Sequence, residues 1–142
     1  VIVPHIVPEV PALRVNPVIM YLSDHFQRPQ PFAPTVVVDV EPVFEQIIDQ
    51  LECHKSQFHE WLPWTCCQEE QLPKDPAGLR NYTETFYRQF NGPLAERYRD
   101  LVVATYGPER GRKIGFIEAF EPCEYGSPLT DAARKRLFPM LP

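Results

Sequence analysis

The chain has 142 residues, a formal net charge of −5 and 44% hydrophobic residues. This composition is far from that of disordered chains, and no run approaches the roughly 18 uninterrupted apolar residues of a membrane span. Fourteen basic residues against 19 acidic ones give no general field for phosphate backbones, so nucleic acid is excluded as the general partner. Proline occurs 17 times, eight of them within the first 42 residues, and that stretch cannot be mainly helix.

In chain order, Val1 to Pro17 places prolines every three to six residues among apolar ones and reads as an ordered, irregular strap. Pro17 to Leu22 (PVIMYL) reads as a short buried strand, and Ser23 to Pro34 as a proline-punctuated loop. Thr35 to Val40 (TVVVDV) is the clearest strand. Its three consecutive valines suggest cover on both faces. A helix is expected from Pro42 to about Glu60, with Val43, Phe44, Ile47, Ile48, Leu51, His54 and Phe58 on its apolar stripe, ending where Pro63 stands between Trp61 and Trp64. Glu45, Gln46, Asp49, Gln50 and Glu52 take the other face.

Asp75 and Pro76 supply a cap and first position for a helix through Leu79, Tyr82, Phe86 and Phe90. Asn91, Gly92 and Pro93 end it and start another, Leu94 to Tyr106, which stops at Gly107 and Pro108. After a basic turn, Ile114 to Glu121 reads as a strand with Ile117 and Ala119 on one side and Phe116, Glu118 and Phe120 on the other. Thr130 caps a last short helix to Phe138. The count is about three strands and four helices, an α/β chain with few strands for its class. The others are expected before Val1, where the chain also lacks an initiating methionine.

Four cysteines, two of them adjacent (Cys66 and Cys67), do not make a disulfide scaffold. Mostly free thiols fit a reducing, cytoplasmic setting, with one bridge from Cys53 or Cys66 to Cys123 left open. For zinc, Cys53, His54, His59, Cys66, Cys67 and Cys123 lack the two clusters of ligands two to four residues apart that structural sites use. His54 reads either as a core histidine or as a residue facing a pocket, beside Ser56, which lacks the glycines of a nucleophile elbow, and Gln57, which can donate and accept at once. Glu118, amid apolar neighbours, requires an Arg, His or amide partner if buried. Arg110, Arg112 and Lys113 sit in a glycine-bearing turn that is more simply solvated than phosphate-binding, with an anionic substrate group as the other reading.

The run His54-Lys55-Ser56-Gln57-Phe58, followed by Arg110-Gly111 to Gly115 and by Ile117-Glu118-Ala119-Phe120, resembles the carboxyl-terminal part of the LmbE-like or PIG-L-type N-deacetylases, which carry H-x-S-Q on a helix and E-A-F on a late strand. The resemblance spans about Thr35 to Phe120. It implies part of a Rossmann-like three-layer α/β sandwich and a zinc-dependent hydrolase that removes acetyl groups from N-acetylglucosamine-type sugars or their conjugates. The family's zinc ligands lie in A-H-P-D-D and H-P-x-H segments that this chain lacks. His5 and His25 match neither, so no metal ligand is assigned and the ion's ligands are expected outside the chain.

What carries over is His54, Ser56, Gln57 and Glu118 as residues of the pocket wall or its support, with Arg112 as a substrate contact. On this reading residues 1–142 are one unit, the carboxyl-terminal part of a larger α/β domain, with 1–34 as strap and first strand. A truncated piece of this kind is inactive alone, and its partner is the missing amino-terminal half or a second copy. The alternative is a non-catalytic binding or structural module of the same fold.

Overall fold

A computed structural model describes residues 9–11 and 13–142. The part of the expected strap from Val1 to Pro8, together with Ala12, lies outside the described residues. The chain forms strands β1 (Met20–Leu22), β2 (Val36–Asp39) and β3 (Ile117–Pro122) and helices α1 (Phe44–Glu52), α2 (Leu62–Thr65), α3 (Pro76–Asn91), α4 (Pro93–Arg97), α5 (Arg99–Tyr106), α6 (Pro108–Gly111) and α7 (Asp131–Leu137). This is a mixed α/β chain. Its three strands form one antiparallel sheet in the order β1-β3-β2. The chain divides into two compact units, Val37–Glu118 and a unit joining the chain up to Val36 with Ala119–Pro142, so that β2 and β3 each run through the boundary.

In the unit of the two chain ends, β1 pairs with β3 through Met20 and Pro122, Tyr21 and Glu121, and Leu22 and Phe120. The strand expected to be buried from Pro17 to Leu22 is shorter, and Tyr21 and Leu22 are exposed. It is an edge strand with only one neighbour, so little covers its outward side chains. The segment before it is tied down by backbone bonds from Ser127 N–H to Pro17 O and from Cys123 N–H to Ile19 O, each 2.9 Å. A side chain on Gly126 would meet Ile19 N at 2.6 Å, which explains glycine at that crossing. The loop 23–34 has no regular structure, and its Ala33 N–H donates to Glu121 Oε2 at 2.8 Å. Thr130 caps α7 as expected, its hydroxyl accepting from Ala133 N–H at 3.2 Å, and Phe138 packs on Phe120.

In the unit Val37–Glu118 the core is built from Val37, Val40, Phe44, Ile48, Leu94, Val102, Ile114 and Ile117. Val36 and Val37 are consecutive and both fully buried, as expected of a strand covered on two faces. The helix expected from Pro42 to Glu60 begins as a 3-10 turn at Glu41–Val43 and ends as α1 at Glu52. The break falls at Cys53 and His54, and the chain then re-enters a π-helical segment, Ser56–Trp61, that continues directly into α2. Pro63 therefore does not end the helix. It sits within the first two positions of α2, where its missing N–H costs nothing.

Helix α3 begins where the sequence indicates, Asp75 accepting from Gly78 N–H at 2.9 Å. The expected helix Leu94 to Tyr106 is interrupted at Tyr98 (φ −112°, ψ 29°), and the basic segment after Gly107 is a turn of helix, α6, rather than an open turn. Gly107 itself adopts φ 80° and ψ 162°, a conformation essentially confined to glycine.

Candidate functional site

Three groups of polar residues stand out in the unit Val37–Glu118, and the first is a brace between α1 and α3. His59 Nε2 lies 3.1 Å from Glu52 Oε1 and 3.1 Å from Thr83 Oγ1, and the Thr83 hydroxyl donates to the same Glu52 oxygen. Thr83 is completely buried. On the outer side Arg80 bridges Asp49 at 2.6 Å and Glu45 at 2.8 Å, and those two carboxylates, Asp49 first, push its guanidinium further above its ordinary range. Glu52, assigned by periodicity to the solvent face, is turned inward by this network.

The brace holds the segment that follows α1. His54 O accepts from both Gln57 N–H and Phe58 N–H, at 2.9 and 3.0 Å, and Phe58 packs edge-on against Phe86 at 5.9 Å. His54, Ser56 and Gln57 are all exposed. The expectation that His54 is a core histidine is not met, because the chain leaves the α1 helix one residue earlier and its periodicity no longer applies. None of the three side chains makes a hydrogen bond among the described residues. The segment thus presents imidazole, hydroxyl and carboxamide groups from a backbone fixed by Phe58 and His59.

The second group surrounds β3. Ile117 and Ala119 are buried and Glu118 is half-buried, as the alternation predicts. The buried partner expected for Glu118 is absent: its carboxylate makes no hydrogen bond or ion pair among the described residues, which partial solvent access permits. It lies near Tyr87, whose phenol is pushed up by burial and then by the Glu118 charge, against the lowering effect of Asn91. Asn91, buried, donates to Tyr87 Oη at 2.9 Å and to Ile117 O at 3.1 Å. Tyr87 stacks on Phe116, and both rings meet Phe44 beneath the Arg88 guanidinium.

The third group lies at the carboxyl end of β2. There Val40 N–H reaches Phe116 O at 3.2 Å, while Asp39 N–H donates to Tyr106 Oη at 2.8 Å. Asp39, whose side chain is 8% exposed, receives Arg110 Nη2 at 2.9 Å, and Arg110 also covers the Tyr106 ring. Asp39, Glu41, Glu109, Arg110 and Lys113 line a depression of about 330 Å3. Arg112, the expected substrate contact, is exposed beside Lys113. The anchored guanidinium is that of Arg110.

The structure brings His54, Ser56 and Gln57 together and leaves Glu118 and Arg112 apart from them. Glu118 neighbours Tyr87, which packs on Phe44 at the amino end of α1, whereas His54 follows the carboxyl end, beyond the roughly 12 Å from Phe44 to Glu52 at 1.5 Å per residue. Glu52, His59, Thr83, Asp39 and Tyr106 were not singled out as a site by their spacing. Two sequence signals touch this set: Asp39 is the first polar side chain after the valine run, and His59 is one of the residues weighed as a zinc ligand.

No group of three His, Cys, Asp or Glu residues among the described residues is arranged to hold a metal ion. All four cysteines are free, Cys123 buried and the other three exposed. No helix among the described residues is long and apolar enough to cross a membrane. Compared with family models, curated proteins and solved structures, the chain matches none.

Proposed function

We propose that this chain is the carboxyl-terminal part of a zinc-dependent N-deacetylase of the LmbE-like, PIG-L type, acting on N-acetylglucosamine-type sugars or their conjugates, and that it supplies a polar substrate-facing wall. The observation that carries the reading is the His54-Lys55-Ser56-Gln57 segment, whose exposed side chains stand on a backbone held by the Glu52–His59–Thr83 brace. Rigid presentation of this kind is what substrate positioning needs. Gln57 can donate and accept toward an amide or sugar hydroxyl, and His54 offers a ring nitrogen for a hydrogen bond or a proton.

The described residues do not fit the family's zinc ion, since no three of them converge as ligands. In this reading the ion is held by segments outside the chain, and no step through it is derived. The Rossmann-like sandwich belongs to the same proposal. The three strands pair antiparallel throughout, so in this reading the parallel strands of such a sandwich lie outside this chain. The free thiols suit a cytoplasmic enzyme.

The test uses the intact protein that contains this chain. About one zinc per molecule and release of acetate from an N-acetylglucosamine conjugate are expected. His54→Ala and Gln57→Ala are each expected to lower kcat/KM by roughly 10- to 100-fold, the usual cost of losing a group that supports a metal site, without changing Tm. An intact protein that binds no zinc on reconstitution and releases no acetate overturns the reading in favour of a non-catalytic binding module.

A further inference from the structure

The two adjacent thiols at the end of α2 are not used by the proposed reaction. Cys66 N–H bonds Leu62 O at 3.0 Å and Cys67 N–H bonds Trp64 O at 3.1 Å, after which Gln68 N–H reaches back to Pro63 O at 2.8 Å. Cys67 closes the turn in the left-handed region at φ 54°, uncommon for a residue with a side chain. Both cysteines are exposed and both thiols are free. Tyr82, on α3, is close enough to Cys66 for the thiol's charge to add to the effect of burial on its phenol.

A disulfide within this pair is unfavourable. Neighbours joined by a trans peptide have Cα atoms about 3.8 Å apart, short of the roughly 4.4 Å at which ordinary disulfides begin. The only cis peptide among the described residues is Arg28–Pro29. A single atom that bonds both sulfurs escapes this limit, because it sits between them and lets them stay further apart than a sulfur–sulfur bond allows.

We propose that Cys66 and Cys67 form a two-thiol binding site for thiophilic trivalent metalloid centres of the organoarsenic(III) class. With an arsenoxide, both S–H bonds break, two As–S bonds form, and the oxide oxygen leaves with the two protons as water. No oxidation state changes, so no oxidant or reductant is required. The second As–S bond forms within the chain, where the neighbouring thiol has an effective concentration on the order of millimolar or above. Cys53 is the internal control: it is exposed and free, but follows α1, where its thiol donates to Asp49 O at 3.4 Å.

The experiment titrates phenylarsine oxide into the reduced chain and follows intact mass. The expected product carries one phenylarsenic group with loss of one water, persists in excess glutathione, and is released by 1,2-ethanedithiol. Cys66→Ser and Cys67→Ser are each expected to weaken binding at least about tenfold, with the circular dichroism spectrum unchanged, while Cys53→Ser leaves it as in the parent. The proposal is overturned if the adduct is stripped by glutathione, is lost in Cys53→Ser, or fails to form on the reduced parent chain.

Discussion

Glu52, His59 and Thr83 show how one buried hydroxyl can organise two elements. Thr83 is fully enclosed, and every buried side-chain polar atom among the described residues has a partner. Replacing it by valine keeps the shape and removes the donor, leaving Glu52 and His59 with an incomplete network. Thr83→Val is therefore expected to lower the unfolding free energy by about 1–3 kcal/mol, read from urea denaturation, and to loosen the His54–Gln57 segment in hydrogen exchange. Tyr21 makes a second prediction. Its phenol is raised from 10.0 to about 12, first by its hydrogen bond with the Cys123 thiol and then by burial. A raised pKa means that the folded state binds this proton more tightly. The stabilisation is complete below pH 10.0 and is lost as pH rises through about 12. In a phenolate absorbance titration Cys123→Ala is expected to return Tyr21 towards 10.0, and no movement of that curve would contradict the assignment.

Among the elements, α5 and α6 meet through backbone rather than side chains. A Cβ on Gly111 would lie 2.7 Å from Val103 Cα and 2.9 Å from Val102 O. Arg99 closes the same corner by donating to Gly111 O and Ile114 O, each at 2.7 Å. Gly111→Ala is expected to force the two helices apart at a cost of about 1–3 kcal/mol, visible as a lower Tm. Because α6 also carries Arg110, the variant is expected to disturb the Asp39–Arg110 pair, which a double-mutant cycle with Asp39→Asn would measure. The turn after α1 has the opposite character. It runs as a π-helical segment into α2 instead of completing a longer amphipathic helix, and Trp61 and Trp64 are 51% and 66% exposed.

For the whole molecule, the sheet has β1 and β2 as its outer strands, and Leu13, Val15, Leu22, Phe26, Trp61, Trp64 and Met140 are exposed apolar side chains. Open strand edges and apolar surface favour pairing with another chain. Produced by itself, the chain is expected to self-associate, with a sedimentation coefficient that rises with concentration. A monomer with a sharp, cooperative thermal transition would count against both this expectation and the proposal that further strands complete the sheet.

Local chemistry made much of this chain legible from residue order alone. The valine run of β2, the alternation around Glu118, the Asp75 and Thr130 caps and the stop at Gly107 each depend on neighbours within a few residues, so the sequence by itself determined them. It also determined the order of the polar segment from His54 to Gln57. Only the tertiary structure decided that this segment is exposed, because the break at Cys53 and the π-helical turn depend on how Phe58 and His59 pack against α3. The Thr83–Glu52 and Asp39–Arg110 pairs join residues 31 and 71 positions apart. Such pairs exist only where helix crossing and strand register bring two distant backbones within reach of a single hydrogen bond, and periodicity along one element carries no information about either.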